Sequence, residues 1–255
     1  MFGMFGRGHA SPGANPLGVH LSQPPAVIYA IGDIHGCLDK LKHLEARIVA
    51  DAESVAGEKL IITLGDYVDR GPASARTLEW LMRPAPRGFR RICLRGNHEA
   101  AFLAAIGKPA ACGEWLSWGG RETLASYGVD PDNFERLSGP ARGLVLQSVV
   151  PQEQIAFMAN CPYYVSTNGF VFVHAGIRPG VALERQRAED LLWIREPFLS
   201  QAHGLPMVVV HGHTPMAQPS ITDYRIGIDT GAYDGGPLTA VKIQPSGQLT
   251  FFTDH

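Results

Sequence analysis

At 255 residues, with 45% hydrophobic and 18% charged side chains, the chain can bury a core as one large domain, and no apolar run nears the ~20 residues that span a bilayer. Its formal net charge of -2 gives no electrostatic ground for generic nucleic-acid or anionic-membrane binding. The four cysteines, Cys37, Cys93, Cys112 and Cys161, form no CxxC zinc or redox pattern and read as reduced thiols of a cytoplasmic protein.

The stretch up to Pro25 is rich in Gly, Pro and Ser and lacks the basic-then-apolar order of a secretory signal. Residues 1–25 are therefore expected to be a flexible leader, and residues 26–255 a single folded domain. Ala26–Ile31 is a short apolar run that reads as a buried strand delivering Asp33 at its carboxyl end. Leu38, Leu41, Leu44 and Ile48 recur at helical spacing, which predicts a helix over about Cys37–Ala50. Leu60–Leu64 repeats the strand-then-Gly-Asp pattern, Ala73–Met82 looks helical after Pro72, and Ile92–Leu94 runs into Gly96-Asn97-His98 and a third helix. Three strand–loop–helix units predict an α/β fold with a largely parallel sheet and function at the strand ends. The span from about Leu103 to Gln154 reads as helical or irregular. Beyond it, Tyr163–Ser166 and Phe170–His174 form a hairpin pattern, and Met207–His211, Tyr224–Asp229, Leu238–Ile243 and Leu249–Thr253 read as strands.

Five short blocks set metal- or phosphate-seeking side chains beside glycine: GDIHG (Gly32–Gly36), GDYVDRG (Gly65–Gly71), GNHE (Gly96–Glu99), HAG (His174–Gly176) and HGHT (His211–Thr214). Glycine permits the tight turns that let Asp33 and His35 face one point. Asp66, on the next strand end, is a carboxylate able to bridge two cations. Asn97 adds a neutral oxygen, and His174 and His213 each follow a strongly apolar strand. His211 still belongs to its strand and reads as structural. Carboxylate, amide and imidazole without thiolate favour two divalent transition-metal ions, manganese first, with iron and zinc also compatible. Arg70 can form paired bonds to phosphoryl oxygens, and Arg95 and Arg195 are candidates for the same work. His98 is placed to give a proton to a departing oxygen, with Asp69 as the acidic partner that keeps it protonated.

The ordered set GDxHG, GDxVDRG, GNHE, HAG and GHT, spanning about Tyr29 to Gly231, resembles the phosphoprotein phosphatase family of calcineurin-like metallophosphoesterases, in its compact bacterial and phage form. The resemblance implies a central β-sandwich of two mixed sheets flanked by helices. It implies one metal held by Asp33, His35 and Asp66, and a second by Asp66, Asn97, His174 and His213. It also implies His98 with Asp69 as general acid pair, a phosphate clamp of Arg70 and Arg195, and direct attack of a metal-bridging hydroxide without a phosphoenzyme. The expected substrate is a phosphorylated protein or peptide at serine or threonine, with small phosphate esters or nucleotides as further candidates; nucleic acid and membrane are not expected partners. The competing reading is a dinucleoside polyphosphate hydrolase similar to the symmetrical tetraphosphatases. Those typically carry Ala at the position of Asp69, lack the arginine of Arg95 and have Asp at Glu99, so all three positions favour the phosphatase branch. A non-catalytic binding module fits poorly with an intact ligand set. Trp115, Trp118 and Tyr127 lie where selectivity can reside, either as core residues or as stacking surfaces for a base or peptide.

Overall fold

The computed structural model describes residues 17–167 and 169–255. Five strands, β2 (Val27–Ile31), β3 (Lys59–Thr63), β4 (Phe89–Cys93), β10 (Thr239–Ile243) and β11 (Leu249–Thr253), form one sheet in the order β11-β10-β2-β3-β4. Six others, β1 (Gly18–His20), β5 (Tyr164–Ser166), β6 (Phe170–Val173), β7 (Val208–His211), β8 (Ser220–Ile221) and β9 (Arg225–Gly227), form a second in the order β1-β5-β6-β7-β9-β8. Both sheets mix parallel and antiparallel pairs, and they pack face to face as the expected sandwich.

The two-residue period of a strand decides which layer each side chain joins. In β2, Ile28 and Ala30 point between the sheets together with Leu60 and Ile62 of β3, Phe172 of β6 and Val210 of β7. The alternate residues Val27, Tyr29, Ile31 and Ile61 point outward and are buried under helices. Those helices include α1 (Leu38–Asp51), α2 (Ser74–Met82) and α3 (Asn97–Gly107) from the three strand–helix units. A further cluster follows: α4 (Cys112–Trp115), α5 (Arg121–Ser126), α6 (Pro131–Glu135), α7 (Gly139–Val149) and α8 (Gln152–Asn160). Over the other sheet, α9 (Ala188–Trp193) covers Val171, Val173 and Val209.

Register then positions the site. In the first sheet β2, β3 and β4 are parallel with Ile31, Thr63 and Cys93 level. In the second, β6, β7 and β9 are parallel, with Phe172, Val210 and Ile226 level. Three strand ends from each sheet therefore open onto one edge of the sandwich, where a parallel sheet presents its loops.

Two expectations change. The leader does not run to Pro25: Gly18–His20 pairs parallel with β5, and the Leu21 N–H donates to Ser166 O. Gly18 lies so close to the Tyr164 ring that a Cβ there would be 2.3 Å from it. Tertiary pairing thus recruits a segment whose composition looked like a tail; residues 1–16 lie outside the described residues. The strand expected over Tyr224–Asp229 is limited to Arg225–Gly227 and gains a short partner, β8. No helix among the described residues is long and apolar enough to cross a membrane.

Candidate metal centre

Among the described residues, five non-glycine positions have left-handed backbone angles: His35 (φ 43°), Asp66 (φ 53°), Asp69 (φ 70°), Arg70 (φ 67°) and His213 (φ 63°). Each such residue costs on the order of 1–2 kcal/mol. All five fall in the loops at the ligand-bearing edge, where local strain is retained when it aims a functional side chain. Glycines make the loops close: a Cβ on Gly96 would stand 2.1 Å from Asp66 Oδ1, and one on Gly212 would stand 2.0 Å from Asp33 Oδ1.

Asp66 occupies the middle. Its Oδ2 lies 3.5 Å from His35 Nε2, and its Oδ1 lies 3.4 Å from His174 Nε2. Asn97 Oδ1 meets His174 Nε2 at 2.7 Å and His213 Nδ1 at 2.9 Å. Asp66, Asn97, His174 and His213 therefore converge as the second expected ligand group. In the first, His35 and Asp66 meet, and Asp33 stands beside them with its carboxylate 3.0 and 3.2 Å from the His213 backbone N–H. Carbonyl partners fix two imidazoles: Val68 O lies 2.8 Å from His35 Nδ1 and Leu64 O lies 2.9 Å from His174 Nδ1. Each arrangement turns Nε2 toward the centre, as ligating histidines require.

The electrostatics suit cations. Burial, then the Asp229 and Asp66 charges, pushes the Asp33 carboxyl well above the usual range. Burial opposes ionisation of Asp66, yet the surrounding histidines hold it below its ordinary value. Burial drives His35 down to about 3 and His213 down to about 3, so both imidazoles are neutral with free lone pairs. His213 Nε2 is buried without a hydrogen-bond partner among the described residues. Crowded carboxylates facing neutral imidazoles form a donor set that divalent cations would complete, and the residues fit that pair.

Around this core lie groups suited to an anion. His98 Nδ1 lies 2.7 Å from Asp69 Oδ2, while its Nε2 lies 3.9 Å from Asp66 Oδ2. Asp69 also accepts from Thr123 Oγ1 at 2.7 Å and from Trp115 Nε1 at 3.0 Å. Burial works against a charged His98, but Asp66 and Asp69 outweigh it and raise its pKa. His98 falls within 4.8 Å of the His35 and Asp66 ligand atoms, so distance alone would allow it as a ligand. The Asp69 contact and the raised pKa set it apart from the neutral imidazoles of His35 and His213. Arg70 lies 4.5 Å over the Tyr233 ring, and Arg195 Nη2 donates to His213 O at 3.3 Å.

Arg95 does not belong to this group. Its Nε donates to Met158 O at 3.1 Å, its Nη1 to Tyr163 Oη at 2.9 Å and its Nη2 to Ala159 O. The side chain ties the loop after β4 to the end of α8, with its guanidinium 4.8 Å over the Tyr163 ring. His211, on β7, packs its ring edge-on to Phe198, and burial lowers its pKa to about 4. Trp115 is core, stacked on Phe102 at 4.8 Å, and the Tyr127 hydroxyl bonds Gln154.

Asp229 and Tyr233 escaped the sequence reading, and Glu99 was read only for what it says about substrate. Asp229 lies against Asp33, and burial raises its carboxyl to about 6. The segment Gly227-Ile228-Asp229-Thr230-Gly231 repeats the strand–Asp–glycine signature of the other blocks and could have revealed it. Glu99 accepts the backbone N–H groups of Asp66 (2.9 Å), Tyr67 (2.7 Å) and Gly96 (2.9 Å), organising the Asp66 turn rather than reading substrate. Tyr233 lies 5.0 Å from the His35 ring and carried no sequence signal.

Residues 26–248 match the family described as calcineurin-like phosphoesterase. The bis(5'-nucleosyl)-tetraphosphatase PrpE [asymmetrical] of Bacillus cereus is 24% identical over 83% of this chain and 88% of its own length. Among solved structures, a putative diadenosine tetraphosphatase superposes with a TM-score of 0.66 at 21% identity, over 92% of this chain and 97% of the other. A protein serine/threonine phosphatase from Saccharomyces cerevisiae gives 0.59 at 16% identity, over 93% and 83%. At these identities the structural likenesses establish the fold.

Proposed function

The chain belongs to the calcineurin-like phosphoesterase family as a metal-dependent phosphoesterase, and we propose that it hydrolyses a dinucleoside polyphosphate. The observation that carries the hydrolytic reading is the convergence of Asp66, Asn97, His174 and His213, with His35 on the other carboxylate oxygen of Asp66. Support for the nucleotide comes from the curated relatives of matching length, which bear the tetraphosphatase name. Two features that favoured a protein phosphatase, Arg95 and Glu99, are engaged in structural bonds and say little about substrate.

Asp33, His35 and Asp66 would hold one cation, and Asp66, Asn97, His174 and His213 the other. Bound there, divalent ions supply Lewis acidity and a nucleophilic water near neutral pH; manganese is our first choice. Arg70 and Arg195 orient the phosphoryl group and offset charge on its oxygens. His98 keeps a proton on Nε2 for the leaving oxygen while Nδ1–H donates to Asp69. The turns that hold Asp66 and His213 fix this geometry before substrate arrives.

A second reading, a serine/threonine protein phosphatase, is favoured by the His98–Asp69 pair. An alkoxide leaving group needs the proton, whereas a phosphate leaving group is already a stable anion. The decisive experiment compares manganese-loaded protein on diadenosine tetraphosphate and on a phosphoserine peptide. The expected result is a higher kcat/KM on the dinucleotide, with product analysis separating AMP plus ATP from two ADP. A clear preference for the peptide would replace the first reading by the second. With phosphomonoesters, His98→Asn serves as an internal check. It should cost ~100-fold or more on phosphoserine and much less on p-nitrophenyl phosphate; equal losses would remove His98 from the acid role.

A further inference from the structure

Beside the metal centre lies a cavity of about 230 Å³ lined by Ala100, Ala101 and Ala104 of α3, Glu114, Trp118 and Trp193. Its position follows from α3. That helix begins with Asn97 and His98 at the centre, so Ala101 and Ala104 lie roughly 5 and 9 Å further along its axis. Alanine at these positions leaves the space open, since a larger side chain on the same face would fill it. At the mouth, Trp193 is 37% exposed, its ring 6.2 Å from that of His213. Trp118 meets Trp193 with centroids 5.0 Å apart and planes inclined at 60°.

The turn that carries Trp118, Leu116–Gly120, is anchored to the phosphate clamp. Gly119 O accepts the Arg70 backbone N–H at 3.0 Å, and Gly119 has a left-handed φ of 103°. On its other side the turn follows α4, whose Trp115 donates to Asp69. The aromatic wall is thereby built onto the same loops that hold Arg70 and His98.

We propose that Trp118, Trp193 and the alanine face of α3 form a nucleobase subsite contiguous with the metal centre. It would take one amino-bearing base of a nucleotide whose phosphates lie on the metals. The inference rests on the nucleotide reading above and deepens it. Flat indole faces attract the π-face of a base, and such stacking tolerates a range of ring systems. Glu114, the charged residue of the lining, is an acceptor suited to an exocyclic amino group and repels an acidic peptide. One ring system fits the volume, and its ribose and phosphate would bridge the distance back to His98.

The test uses a ligand that cannot be turned over. Metal-loaded protein is titrated with adenosine and, separately, with ribose, following tryptophan fluorescence. Adenosine should quench saturably and ribose should not. Trp118→Ala should weaken adenosine binding by ~10-fold or more, while Trp118→Phe, which keeps a stacking face, should retain most of it. Trp193→Ala should weaken it independently. In steady-state kinetics the loss of kcat/KM in Trp118→Ala on diadenosine tetraphosphate should exceed its loss on p-nitrophenyl phosphate by about tenfold. Equal responses to adenosine and ribose, or adenosine binding untouched in Trp118→Ala, would overturn the proposal. So would saturation by a phosphoserine peptide bearing phenylalanine but not by adenosine. Because the binding readout needs no turnover, failure to cleave the dinucleotide would strike the substrate assignment and leave the subsite to be judged on adenosine alone.

Discussion

Arg95 commits Nε, Nη1 and Nη2 to Met158 O, Tyr163 Oη and Ala159 O, and its guanidinium lies 4.8 Å over the Tyr163 ring. Two carbonyls at the end of α8 depend on it. Arg95→Met should therefore lower stability by about 2–3 kcal/mol, because charge-assisted bonds to both carbonyls are lost. For a chain of this size that is roughly 5–10 °C of Tm, while KM for phosphate substrates should stay close to the parent value. A large KM increase without a melting change would return Arg95 to the phosphate clamp. The same residue shows where sequence reasoning stops. Asp33, Asp66 and Asn97 were legible because a strand, a glycine and an oxygen-donor side chain are neighbours in the chain. The partners of Arg95 lie more than sixty positions away, and nothing local announces them. Asp229 was legible by the same rule and was missed, because its block lacks a histidine.

Elements carry the next level. Alternating apolar strands and the periodic helix α1 were readable, since burial of one face imposes its period on the sequence. Strands β1 and β8 were not: at three and two residues they are too short for a pattern and exist through their neighbours. Helix α1 also fastens two parts of the fold. At its start Lys40 Nζ donates to Ala232 O at 2.8 Å and to Gly236 O, closing the loop that sets Tyr233 under Arg70. Lys40→Met should free that loop and raise KM for phosphate substrates ~3–10-fold with a smaller change in kcat, a signature of lost positioning. An unaltered KM would separate the loop from the site. At the other end Asp51 accepts from Tyr29 Oη on β2 and pairs with Lys242 Nζ on β10 at 2.6 Å. Burial opposes ionisation here, but the Lys242 and Tyr29 bonds prevail and lower the Asp51 pKa from 3.8. A depressed carboxylate pKa contributes stability at neutral pH and loses it as pH falls below the ordinary value. Asp51→Asn should accordingly destabilise by about 1 kcal/mol at pH 7, the modest size of a partly exposed pair. The gap between parent and variant should close on acidification below about pH 4; a gap constant with pH would mean the ion pair is not its source.

At the scale of the whole molecule, two sheets of different strand order bring three parallel strand ends each to one edge. That convergence joins residues from Asp33 to Asp229 in one buried site, and the site concentrates like charge: Asp33 faces Asp229, and Asp66 is near enough to raise both. Such a cluster favours the folded state when cations occupy it and opposes folding when they do not. Chelation should lower Tm, and reloading at about a hundred times Kd should restore roughly 3 kcal/mol, or 5–10 °C. Asp229→Asn isolates the cause, since an amide keeps an oxygen to accept the Gly231 N–H, bound at 3.0 Å, while removing the charge. The chelated variant should melt above the chelated parent, because the repulsion against Asp33 is gone. Its gain on adding manganese should be smaller, because part of what the cations neutralise is gone as well. Calorimetry of both proteins, with and without metal, reads the two effects separately. A chelated variant that melts below its parent with an undiminished metal gain would show that Asp229 serves the β9 turn and does not tune the centre.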